Sequence, residues 1–150
     1  QDVMTKRIIG WSLMETLEAE LVITALRKAI TKGLIKPGAI IHSDRGSQYA
    51  SNGFRNLLKS KGLLQSMSGK GNCYDNAMAE SFFSRFKSEL VEDGVFENIE
   101  EARTEIFSYI EGFYNLKRLH SSLGYQSPME YEMKLKTKTK GGKLREFSVH

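Results

Sequence analysis

Polar residues 2–6 give way to Arg7-Ile-Ile-Gly-Trp-Ser-Leu13, short, apolar and β-branched, which predicts a strand entered through a turn. From Leu17 the apolar positions recur at three and four (Leu17, Leu21, Ala25 and Ala29 beside Val22, Leu26 and Ile30), predicting a helix with Thr16 as N-cap and Gly33 as its stop. Pro37-Gly38 turns the chain into Ala39-Ile-Ile-His42, a second buried-strand pattern that ends just before Asp44. Phe54, Leu57 and Leu58 fit a helix over residues 52–61 closed by Gly62, followed by a short strand over 63–66 and a flexible Gly-containing loop over 68–72. The helical pattern over residues 76–91 puts Ala79, Phe83, Phe86 and Leu90 on one side, the expected core face. Asn98, with Glu101 three positions on, has the form of a capping box for a last long helix striped by Ile99, Ala102, Ile106, Tyr109, Ile110 and Phe113. Alternation of strand and helix followed by two helices predicts an α/β layer fold.

Length and composition change this picture little. At 150 residues, 40% hydrophobic and 27% charged, the chain is one ordinary globular domain by the usual priors. Its single cysteine, Cys73, forms no internal disulfide, and no run of about 18 apolar residues is present, so a cytoplasmic protein without a membrane partner is expected. Charge is more informative. Residues 1–133 hold 16 basic against 17 acidic side chains, residues 134–150 hold 6 against 1, and the excess of +4 therefore belongs to the end of the chain. We expect a domain over 1–133 and a disordered basic tail over 134–150, with a grip on phosphates as its alternative role.

Asp44 carries chemistry by position: a carboxylate just past the end of a buried strand stands where open α/β sheets present ligands. Glu80 falls at the flank of the apolar face of its helix. Lys87 follows by nearly two turns, within about 20° of Glu80 and about 10 Å further along. One helix thus offers a carboxylate suited to a hard cation and a cation suited to a phosphate. Ser43, His42 and Asp44 are sequence neighbours and cannot make a Ser-His-Asp triad. Gly69-Lys-Gly71 lacks the phosphate-loop pattern, Cys73 lacks the partners zinc requires, and Asp75 is read as a helix N-cap, with the same caution for Asn76.

These residues carry a family resemblance. His42-Ser-Asp-Arg-Gly-Ser-Gln-Tyr49, then Ser68-Gly-Lys-Gly-Asn-Cys-Tyr-Asp-Asn-Ala-Met-Ala-Glu-Ser-Phe-Phe83, then Phe113-Tyr-Asn115 with Arg118, His120, Ser121-Ser-Leu-Gly-Tyr and Ser127-Pro128, resemble the catalytic core of bacterial insertion-sequence transposases, relatives of retroviral integrases. The resemblance covers residues 6–131, and the 35 residues between Asp44 and Glu80 match the spacing of the second Asp and the Glu of that family's catalytic triad. It implies a ribonuclease-H-like integrase core, a mixed sheet flanked by helices. It also implies cleavage and joining of DNA strands assisted by two Mg²⁺ or Mn²⁺ ions, with Asp44 and Glu80 as catalytic metal ligands. Lys87, Arg45, Lys70, Arg118 and His120 become candidate DNA contacts, and DNA and a second copy of the chain the expected partners. Two such ions stabilise the attacking and leaving oxygens of an in-line displacement, which suits carboxylate ligands.

The resemblance also predicts a shortfall. The family's first catalytic Asp lies on the first strand of the sheet, and Asp2 instead matches an aspartate at the end of the second. The expectation is therefore a core lacking its first strand and most of its second, without the helix-turn-helix that finds element ends, and inactive alone. A catalytically dead remnant that binds DNA or oligomerises, and a truncated product prone to pair through exposed strand edges, are the alternatives.

Overall fold

A computed structural model describes residues 1–69, 76–91 and 96–146. By its internal packing the chain divides into two units, Ile9–Arg103 and a second made of Gln1–Ile8 with Thr104–His150.

In the unit Ile9–Arg103, helix α1 (Ala19–Thr31) buries Ile23, Leu26 and Ala29. It begins later than its apolar pattern: Glu18, in extended conformation and without a side-chain cap bond, occupies the N-cap position assigned to Thr16, and Leu17 is exposed. It ends as its sequence predicts. Gly33 adopts φ +69°, and the N–H groups of Gly33 and Leu34 donate to the carbonyls of Ile30 and Ala29.

Strand β1 (Ile40–Ser43) is followed by a single helical turn, α2 (Ser47–Ala50), then α3 (Asn52–Ser60) and β2 (Leu64–Met67). Ser51 caps α3 by accepting the Phe54 N–H. The strands pair in parallel, Ile40 opposite Leu64 and Ser43 opposite Met67. Among the described residues this pair is the whole sheet, where a mixed sheet was expected. Ile23, Leu26, Phe54, Leu58 and Leu63 form the core between α1, α3 and the strands. Ile40 and Leu64 are exposed, so β1 is covered on one side, not buried as its sequence suggests. A Cβ on Gly10 would lie 2.3 Å from the Ala25 carbonyl oxygen and 3.0 Å from the Ala29 Cβ, so only glycine lets that stretch lie against α1.

Helix α4 (Ala77–Phe86) continues as a π-helical segment, Lys87–Val91. None of its residues is buried, contrary to the expected core face, and Phe83 is 56% exposed. Periodicity marks a stripe but supplies no surface to cover it. The rings of Phe82, Phe83 and Phe86 pack on one another instead, with centroids 5.3 and 5.8 Å apart.

Helix α5 (Ile99–Phe107) starts from the expected capping residues: Asn98 Oδ1 accepts from the N–H groups of Glu100 and Glu101, and the Glu101 carboxylate reaches back to the Glu97 N–H. It runs into a π-helical stretch, Ser108–Tyr114, whose wider turn turns Tyr109, Ile110 and Tyr114 inward together.

In the unit containing Gln1–Ile8, Asp2 closes a turn by accepting from the Thr5 N–H and hydroxyl, and Lys6 adopts φ +62°. The strand predicted over residues 7–13 does not form a ladder. Ile8 instead donates its N–H to Asn115 Oδ1 at 2.9 Å, and Asn115 Nδ2 donates to the Ile8 carbonyl at 3.0 Å. A buried side-chain amide thus does what one peptide of a neighbouring strand would do.

Helix α6 (Pro128–Glu146) includes the first part of the segment expected as a basic tail. It opens with a reciprocal cap, Ser127 Oγ accepting the Glu130 N–H and the Glu130 carboxylate accepting the Ser127 N–H, with proline at the first helical position. Glu132 then pairs with Arg7 at 2.7 Å and with Lys136 one turn on. Before α6, the His120 N–H donates to the Gln126 carbonyl and the Tyr125 N–H to the His120 carbonyl, bracing a loop in which Gly124 and Tyr125 adopt φ +66° and +57°. For tyrosine that backbone costs about 1–2 kcal/mol. No helix among the described residues is long and apolar enough to cross a membrane.

Candidate active site

The C-terminal ends of β1 and β2 gather His42, Ser43, Asp44, Arg45 and Ser68. Asp44 follows the last residue of β1 and is exposed, while Ser43 is buried. Its Oδ1 accepts the Gly46 N–H at 2.8 Å, a turn that fixes the carboxylate and leaves Oδ2 for another ligand. A Cβ on residue 46 would stand 3.0 Å from that Oδ1 and 2.7 Å from Gln48 Oε1, so the Asp-Arg-Gly order has a steric basis. Tyr49 packs edge-on against Phe54. Burial, and secondly the negative charge of Asp44, push its phenol above the ordinary value.

Ser68, just past β2 and 4% exposed, ties this end together. Its N–H donates to the Ser43 carbonyl, and its own carbonyl accepts Arg45 Nε at 2.9 Å. Its hydroxyl lies 2.8 Å from Asn76 Oδ1 and 3.3 Å from His42 Nε2, while His42 Nδ1 lies 2.9 Å from Ser66 Oγ. One arrangement of protons satisfies all three contacts: Ser66 donates to His42, His42 to Ser68, and Ser68 to Asn76. Asn76 directly precedes α4, and Glu80 stands one helical turn further on. The segment bearing Glu80 is thereby fastened beside the segment bearing Asp44, although sequence reading took residue 68 as the start of a flexible loop.

Glu80, in α4, and Lys87, the first residue of the π-helical segment that continues it, are both exposed. Lys70, Cys73 and Asp75 lie outside the described residues. In the other unit, Arg118 stacks over Tyr114, 5.9 Å from its centroid. His120, the other candidate contact there, is buried edge-on to Tyr114, and its backbone is bridged to Gln126.

Among the described residues no three His, Cys, Asp or Glu side chains cluster as a metal site. Asp44 and Glu80 are both carboxylates, the side-chain type of which Mg²⁺ commonly takes one or two before filling its shell with water and substrate phosphate.

The chain is similar to known proteins over most of its length. Two family models, each described as an integrase core domain, match residues 1–73 and 80–135. The transposase for insertion sequence element IS904 of Lactococcus lactis is 47% identical over 131 residues, 87% of this chain and 52% of that protein. The transposase InsF for insertion sequence IS3A of Escherichia coli is 41% identical over 133 residues, 89% of this chain and 46% of that protein. The chain thus spans about half the length of these relatives. Among solved structures, the catalytic core domain of BIV integrase aligns with a TM-score of 0.58 at 21% identity, covering 84% of this chain and 78% of that one.

Proposed function

Because the chain belongs to the integrase core domain family and has the fold of an integrase catalytic core, we propose that it is the catalytic-core portion of an insertion-sequence transposase. Its reaction is metal-dependent cleavage and transfer of DNA strands. The observation that carries this reading is the fastening of the Asp44 and Glu80 segments through Ser68 and Asn76 at one end of the strand pair. Asp44 and Glu80 would hold Mg²⁺ or Mn²⁺, which when bound stabilises charge on the attacking and leaving oxygens. The Gly46 N–H and the Ser68 hub keep the two carboxylate-bearing segments in place before substrate arrives, so little ordering remains for binding to accomplish. Lys87 offers a phosphate contact along α4, with Arg45, Lys70 and Arg118 as further cations for the DNA backbone.

A chimera tests this: the chain replaces the matching segment of the Lactococcus lactis transposase, and Mg²⁺-dependent joining of a labelled DNA end is measured. Joining by the chimera is expected, with a loss of about a thousandfold in Asp44→Asn and in Glu80→Gln. Unchanged joining in either variant overturns that residue's assignment.

A second reading, a DNA-binding or oligomerising module without catalysis, is favoured by the charge distribution. The unit containing α6 holds ten basic and six acidic residues, the other unit twelve of each. This reading expects the chain to bind duplex DNA with an affinity that falls as salt rises and as residues 134–150 are removed.

A further inference from the structure

Tyr125 combines three properties that no packing role explains. It is 74% exposed, its backbone sits at φ +57°, and among the described residues its ring makes no aromatic or cation contact. Glycine or asparagine occupies this conformation with less strain, and a side chain that buries so little returns nothing to the fold. Strain of this kind persists where the surroundings over-determine it, and it collects at sites of function. The surroundings here do so. The Tyr125 N–H is held by the His120 carbonyl and the His120 N–H by the Gln126 carbonyl, with Leu123 buried on one side and Ser127 on the other. The loop is a rigid mount that points an aromatic ring at solvent.

We infer that Tyr125 is a stacking platform for an unpaired DNA base. The argument for a nucleic acid is charge within the same unit: Lys117 is exposed with Arg118 beside it in sequence, and residues 134–150 hold six basic side chains against one acidic. A positive surface gathers the phosphate backbone, and an exposed aromatic ring receives a base of any identity, a combination that binds single strands without sequence preference. A preset ring loses little freedom on binding, which is what the strained mount provides. The inference rests on the DNA-directed reading above and extends it by assigning a residue and a structural class of DNA, unpaired bases at or near a strand end.

The test uses the full chain and a duplex carrying a short single-stranded overhang with 2-aminopurine in it. Wild type is expected to bind and to change the probe's fluorescence on stacking. Tyr125→Gly relieves the backbone, so its melting temperature should be equal or higher, while its affinity for the overhang should fall roughly 5- to 150-fold and the probe signal should be lost. Tyr125→Trp should retain both. Affinity for a blunt duplex should be the same in all three. If Tyr125→Gly binds the overhang as wild type does, the platform is overturned and the DNA reading stands. If wild type binds neither DNA, the DNA reading fails and the platform with it. A change in self-association in place of DNA affinity would assign Tyr125 to a protein contact and overturn the proposal.

Discussion

Helices α3 and α4 carry the same kind of apolar stripe in sequence and end in opposite situations. Phe54 and Leu58 of α3 lie in the core at 2% and 3% exposure, whereas no residue of α4 is buried and Asn76, just before it, accepts a hydrogen bond from the Ser68 hydroxyl. Apolar spacing therefore says which side of a helix is ready to be covered, not that something covers it. The difference has a functional edge. The helix bearing Glu80 is positioned by polar contacts, which are directional but modest in energy, while the framework holding Asp44 is positioned by packing.

The contrast can be broken or sharpened by measurement. The largest effect is expected for Phe54→Ala, about 3–5 kcal/mol in denaturant unfolding, against less than about 0.5 kcal/mol for Phe83→Ala. Equal losses would erase the distinction between the two helices. Gly10→Ala should cost about 1–3 kcal/mol, because the new Cβ meets the Ala25 carbonyl of α1. Ser68→Ala should cost about 1–2 kcal/mol and act locally, with faster hydrogen exchange in α4 and little change in α3. Uniform acceleration across both would place Ser68 in the general framework.

The smallest effect concerns pH. Burial pushes the Glu132 carboxyl up, but hydrogen bonds and charges from Lys136 and Arg7 outweigh it and hold the group below its ordinary value of 4.5. A depressed carboxyl stabilises the folded chain above that value, and the contribution is lost as pH falls through the lowered one. Acid should therefore loosen α6 in wild type more than in Glu132→Gln, measured by circular dichroism.

Much of this was legible in the sequence because its determinants are local. Gly33 and Gly62 stop helices at positive φ, Asn98 and Glu101 announce a start, and Asp44 falls directly after a strand. The candidate carboxylates were legible through motif spacing. What was missed depends on partners distant in the chain. Ser68 reads as loop because nothing local reveals that its hydroxyl meets His42 and Asn76. Arg7 to Leu13 reads as strand because β propensity cannot specify a neighbour. The Ser127-Pro-Met-Glu130 cap is different: its signature is local and stands in the sequence, ahead of the lysines.

Asn115 gives the segment at Ile8 one donor and one acceptor, where a strand would repeat that pair every second residue. Such an attachment fixes a point and leaves direction undetermined, more pin than rail. Aspartate cannot replace it, since a carboxylate has no proton for the Ile8 carbonyl, and glutamine would place the same amide one carbon too far. The hold on the Ile8 peptide thus depends on the length and chemistry of that one amide side chain.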